Sequence, residues 1–148
     1  MSNYFTDEQI SLLAKAKTEK KYIHLKNENQ SLKDIMDLNH LNKLISMHNC
    51  WNQKNFSLVL DKNIIPFANY STSGDELGFS NISPDPFKVE NYIKKGASLV
   101  LNDLIYLSKD IEKLAIDLQN VTNGKCQANL YFSMQSHQAF APHFDTHD

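Results

Sequence analysis

Residues 98–134 read SLVLNDLIYLSKDIEKLAIDLQNVTNGKCQANLYFSM, and this run decides the fold class. Ser98–Leu101 is a short apolar segment ahead of Asn102 and Asp103, the pattern of a buried strand. Leu104, Leu107, Ile111, Leu114, Ala115 and Leu118 then recur at three and four, which predicts an amphipathic helix over 103–120. Asn123-Gly124 supplies the turn that ends it. Cys126–Met134 alternates as a strand does. Strand, helix and strand in this order, with helical patterns ahead of them, predict an α+β fold.

Working back toward the N-terminus, Asp85-Pro86 opens a helix, with Asp85 as its cap and Pro86 at its first position, and Gly96 ends it. Val89, Tyr92 and Ile93 form its inner face. Residues 69–83 are rich in Ser, Asn and Gly and read as a long loop, of the kind that serves as a lid or binding loop. Ile64–Phe67 is interrupted by Pro66 and reads as an edge or irregular strand, while Phe56–Leu60 reads as a full one. Ile35, Leu38, Leu41, Leu44, Ile45 and His48 fall on one face of a second helix, capped by Ser31 or Asp34 and ending near Asn49. Asn27–Gln30 is a polar break, and Tyr22–Leu25 reads as a short strand. Thr6 followed by Gln9 fits a capping box, which predicts a first helix over Asp7–Lys20. The whole reads as one domain, with residues 1–50 a helical scaffold and residues 51–148 carrying the strands.

Composition removes several function classes. The chain has 148 residues, 41% of them hydrophobic and 22% charged, so it is long enough to bury a core. Its net charge of −2 gives no global field for nucleic acid or an anionic membrane. The lysines at 15, 17, 20 and 21 sit on one helix beside Glu19 and read as a solvated face. Arginine is absent, which removes the side chain best suited to gripping phosphate with two hydrogen bonds. Two cysteines, Cys50 and Cys126, make neither a zinc site nor a secreted disulfide framework. Residues 1–10 lack the pattern of a signal peptide, and no apolar run could span a bilayer, so the expected location is the cytoplasm.

His143-Phe144-Asp145 is the chemically pointed motif. On a strand over Phe140–Asp145, His143 and Asp145 share a face, about 6.6 Å apart at roughly 3.3 Å per residue. An imidazole and a carboxylate at that spacing can converge on one metal ion, as two members of a facial triad. His147 shares that face but lies about 13 Å along a straight strand, too far to join them. His24, His40, His48 and His137 lie on other segments, and a structural role is the simpler reading for each.

Residues 125–148, KCQANLYFSMQSHQAFAPHFDTHD, resemble the opening of the catalytic core of JmjC-type cupins, and most of all the bacterial ribosomal-oxygenase branch. That branch has a strand Ala-Asn-x-Tyr, a Gly- or Ser-rich loop, and a strand His-x-Asp-x-His-Asp. Ala128, Asn129, Tyr131, His143, Asp145, His147 and Asp148 stand in those places. Upstream, residues 94–118 resemble the family's Gly-x-Ser/Thr-Leu-x-Leu strand and following helix, and residues 56–70 resemble its preceding strand, Ile-Pro and Tyr. The loop here reads MQSHQAF, where the family often has a Pro-Gly type of turn.

The resemblance implies a double-stranded β-helix, of which this chain carries the first part, and a protein oxygenase that uses Fe(II) with 2-oxoglutarate as cosubstrate. It implies His143 and Asp145 as two iron ligands, and Asn129 and Tyr131 as residues facing the cosubstrate or substrate. The substrate it implies is a protein side chain, often of a ribosomal protein. The family's remaining strands, its distal His and its main 2-oxoglutarate anchor are expected further along, so the chain reads as the N-terminal part of a longer enzyme or as a truncated product. An open barrel edge would favour pairing with a second copy or a partner. The alternative is a non-catalytic interaction module that keeps the first half of the fold without a working iron site.

Overall fold

The computed structural model describes residues 4–26, 30–74, 81–134 and 140. In chain order the elements are α1 (Asp7–Glu19), α2 (Gln30–Lys33), α3 (Leu38–Ile45), β1 (Phe56–Leu60), β2 (Asn63–Ile64), β3 (Ser71–Gly74), β4 (Asn81–Pro84), α4 (Pro86–Lys94), β5 (Ser98–Leu101), α5 (Lys109–Thr122) and β6 (Leu130–Phe132). Short 3₁₀ turns lie at His48–Cys50, Phe67–Asn69 and Leu104–Tyr106. Helices and antiparallel sheet together make an α+β fold. The chain divides into two compact units, Met1–Asn42 with Asp103–Ala128, and Lys43–Asn102 with Asn129–Asp148.

In the first unit α1 begins as its capping box requires. Thr6 Oγ1 accepts from the Gln9 amide at 3.2 Å, and Gln9 Oε1 accepts from the Thr6 amide at 3.0 Å. The helix ends at Glu19, one residue before the expected end, and Lys20 closes it in the left-handed region. The strand expected at Tyr22–Leu25 is not formed: these residues have no regular structure, Tyr22 is 99% exposed, and a strand without a ladder partner has nothing to hold it. The single helix expected to run to Asn49 is instead split into α2 and α3. Asp37 causes the break, because its carboxylate accepts from the His40 amide at 2.7 Å and caps a new helix. His48 falls on the 3₁₀ turn beyond α3, not on its apolar face.

The helix expected from Asp103 starts later, at Lys109. Asp103 takes a left-handed backbone, a 3₁₀ turn follows, and Ser108 Oγ accepts from the Ile111 amide at the true start of α5. Ile111 and Ala115 are its buried residues. Tyr4 donates its hydroxyl to the Asp110 carbonyl at 3.3 Å, and Lys17 Nζ donates to the Thr122 carbonyl, which joins α1 to α5.

The second unit is built on a four-stranded antiparallel sheet of order β2-β1-β5-β6. Alternation along β1 and β5 sends Phe56, Leu58, Leu99 and Leu101 to one face, where all four are withdrawn from solvent. Trp51 and Tyr70 continue this core: the Trp51 ring meets Phe56 edge-on at 5.6 Å, and Tyr70 lies 6.1 Å from Phe56 and 6.4 Å from Tyr92 of α4. Each such pair adds about 0.5–1.5 kcal/mol beyond the area it buries. The indole of Trp51 is satisfied by the Leu44 carbonyl at 2.7 Å.

Asp85 caps α4 by accepting from the Phe87 and Lys88 amides, with Pro86 at the first helical position, as the sequence predicts. Val89 and Ile93 are buried, and Gly96 follows at φ 100°, a conformation that leads the chain directly into β5 and suits only glycine. The long loop expected over 69–83 is in part a polar hairpin. β3 and β4 pair from Ser71↔Pro84 to Gly74↔Asn81, a ladder of backbone bonds that hydrophobic alternation does not announce. The strand expected over Cys126–Met134 is confined to Leu130–Phe132. That expected over Phe140–Asp145 lies outside the described residues, Phe140 excepted.

Candidate functional site

Pairing between β1, β5 and β6 gives the sheet a second face of different chemistry. Cross-strand partners share a face. Ser57 stands opposite Val100 and Val100 opposite Tyr131, while Val59 stands opposite Ser98. Continuing the register one step beyond Leu99↔Phe132 sets Ser98 against Ser133. Asn129 immediately precedes β6 and has the same parity as Tyr131 and Ser133. This face therefore carries an amide, a phenol and three hydroxyls around the buried Val59 and Val100.

Local geometry fixes two parts of this face. Ser98 Oγ and Ser133 Oγ are 2.6 Å apart, and Ser98 is only 1% exposed. The Tyr131 ring is 60% exposed and meets Phe140 edge-on, with centroids 5.8 Å apart and planes at 90°. Asn129 is exposed too. Neutral hydroxyl and amide groups can donate to or accept from an oxygen-rich ligand, and they bring no charge of their own. The sequence reading nominated Asn129 and Tyr131 but missed Ser57, Ser98 and Ser133. The signal was present in the alternation Ser98, Val100 and Tyr131, Ser133, but it becomes readable only with the β5–β6 register.

The nominated metal ligands His143 and Asp145 lie outside the described residues, as do His137 and His147. As a donor set, an imidazole and a carboxylate suit a divalent iron. Among the described residues, no three or more His, Cys, Asp or Glu side chains come together. His40 is engaged elsewhere: its Nδ1 lies 2.8 Å from Asp37 Oδ1. His24 is exposed on the irregular stretch after α1. Cys50 and Cys126 are half-buried free thiols.

The His40 backbone amide holds the Asp37 carboxyl below its ordinary value, the Lys113 hydrogen bond does the same for Asp110, and Asp110 in turn raises Lys113. Burial pushes the Tyr70 phenol up. A cleft of about 330 Å³ in the first unit is lined by Tyr4, Ser31, Asp34, Ile35, Asp110 and Lys113, and none of these is a nominated residue. No described helix is long and apolar enough to cross a membrane. Comparison with protein-family models, with curated proteins and with solved structures finds no match.

Proposed function

We propose that this chain carries the first part of a JmjC-type cupin core and that it serves an Fe(II)- and 2-oxoglutarate-dependent oxygenase that hydroxylates a protein side chain. One observation carries the reading. The three stretches in which the resemblance lies, at β1, β5 and β6, are neighbours in one antiparallel sheet, and Asn129 and Tyr131 are exposed at its β6 end. Antiparallel strand pairs of this kind are the material of a double-stranded β-helix.

In this reading His143 and Asp145 are two iron ligands. Bound iron would activate O₂, the oxidant, with 2-oxoglutarate giving up two electrons as it is decarboxylated to succinate and the substrate carbon giving up the other two. The chain's own residues hold and orient. Tyr131 and Asn129 offer neutral hydrogen bonds to a carboxylate or carbonyl oxygen, and Phe140 supplies an apolar wall. With no arginine in the chain, a carboxylate here is held by hydroxyls, amides or lysine. A ribosomal protein is the first substrate to test, the cytoplasm the compartment, and neither nucleic acid nor membrane a partner. A second copy of the chain is the natural candidate to cover an open strand edge.

The test is 2-oxoglutarate binding under anaerobic Fe(II), followed by calorimetry, in wild type, Tyr131→Phe and Asn129→Ala. The expected result is binding that weakens about tenfold in each variant, the loss of one hydrogen bond to a charged ligand. Absence of binding, or binding indifferent to both residues, would remove the proposal.

A further inference from the structure

We infer that Ser98 and Ser133 form a hydroxyl tie that positions Tyr131. The tie stands on geometry alone, and only what Tyr131 contacts rests on the oxygenase reading. Every residue of β5 is buried, and three of the four are Leu or Val. A serine in such a strand must find a partner for its hydroxyl, because a buried polar group without one is destabilising. Ser98 finds it across the ladder, 2.6 Å away on Ser133. Ser133 is exposed and follows directly on β6. The β5–β6 ladder runs over only three residue pairs, from Leu101↔Leu130 to Leu99↔Phe132. The tie is the next cross-strand link after that short ladder.

Its position relative to Tyr131 gives the tie its role. Tyr131 and Ser133 share a face of β6, two residues apart, and Val100 and Ser98 stand opposite them in the same order. Fixing Ser133 to Ser98 fixes the course of the chain as it leaves β6, and with it the direction of the Tyr131 side chain. A short strand otherwise frays at its end. Ser133 and Ser98 are thus positioning residues, acting through Tyr131.

Amide hydrogen exchange on the full chain tests this, in wild type, Ser98→Ala, Ser133→Ala, the double variant and Ser133→Thr. Each Ala variant is expected to speed exchange at Tyr131 and Phe132 about tenfold while Leu58 and Val59 of β1 stay as in wild type. The double variant should exchange no faster than Ser133→Ala, which alone leaves the Ser98 hydroxyl buried without this partner. Ser133→Thr keeps the hydroxyl and should restore slow exchange. Cross-relaxation between the Tyr131 and Phe140 rings should weaken in the Ala variants and return in Ser133→Thr. Unchanged exchange in β6, acceleration spread equally over β1, or ring contacts untouched by the Ala variants would each overturn the inference. 2-Oxoglutarate titration with Fe(II) is run alongside. A wild type that does not bind would sink the oxygenase reading, while the exchange data still decide on the tie.

Discussion

Tyr131 stands directly opposite Val100 in the β5–β6 ladder, yet Val100 is 5% exposed and Tyr131 is 60% exposed. One cross-strand pair thus spans the passage from packed sheet to open face. The stability effects of the two side chains should separate accordingly. Val100→Ala removes buried methyls and should cost about 2 kcal/mol. Tyr131→Ala should stay within about 0.5 kcal/mol, as at other exposed positions. Urea unfolding of the two variants checks this, and equal costs would mean that Tyr131 belongs to the core.

The two-residue turn between β1 and β2 stores strain. Asp61 and Lys62 both take positive φ, at 50° and 67°, where Gly is the usual second residue. Lys62→Gly relieves a left-handed non-glycine residue and should raise stability by about 0.5–1 kcal/mol, net of the added chain entropy. A lowered denaturation midpoint for Lys62→Gly would show that the lysine side chain is worth more than the strain.

Asp37 gives the fold a pH dependence of known sign. Its carboxyl is held below the ordinary 3.8, first by the His40 backbone amide. A depressed carboxyl contributes stability above its unfolded pKa, and the contribution is lost as pH falls through the folded value. Asp37→Asn keeps a good cap and removes the charge. Wild type should therefore be the more stable near neutral pH, and the difference should shrink as pH falls below the ordinary carboxylate range. A gap that persists in acid would place the effect in packing and not in the charge.

Tyr70 sets the alkaline side. Burial raises its phenol above 10.0, opposed in part by the Leu58 backbone. A raised pKa means stability that is complete below the unfolded value and lost as pH climbs through the folded one. The Tyr70 hydroxyl reaches the Phe56 carbonyl at a long 3.4 Å, so Tyr70→Phe should cost at most about 1 kcal/mol at neutral pH. Above the ordinary tyrosine range Tyr70→Phe should be the more resistant to unfolding. Identical alkaline transitions would show that Tyr70 does not control them.

Local chemistry made much of the fold legible in the sequence. The box at Thr6 and Gln9, the cap and proline at Asp85-Pro86, and the apolar runs Phe56–Leu60 and Ser98–Leu101 each specify an element through their own neighbours. The failures have a common cause. Asp37 splits a helix through a side-chain bond that competes with apolar periodicity, and β3 pairs with β4 through backbone alone in a stretch of Ser, Thr and Asn. The site was legible in part for the same reason. Asn129 and Tyr131 carry a motif, whereas Ser98 and Ser133 meet only through a register between strands distant in the chain.

The most direct test of the oxygenase account is an anaerobic Fe(II) titration of wild type and His143→Ala, with and without 2-oxoglutarate, read by visible absorption. The expected result is saturable iron binding that is lost in His143→Ala, and a charge-transfer band that develops only when 2-oxoglutarate is present. No iron binding, or binding indifferent to His143, would contradict it and leave the non-catalytic interaction module as the better reading.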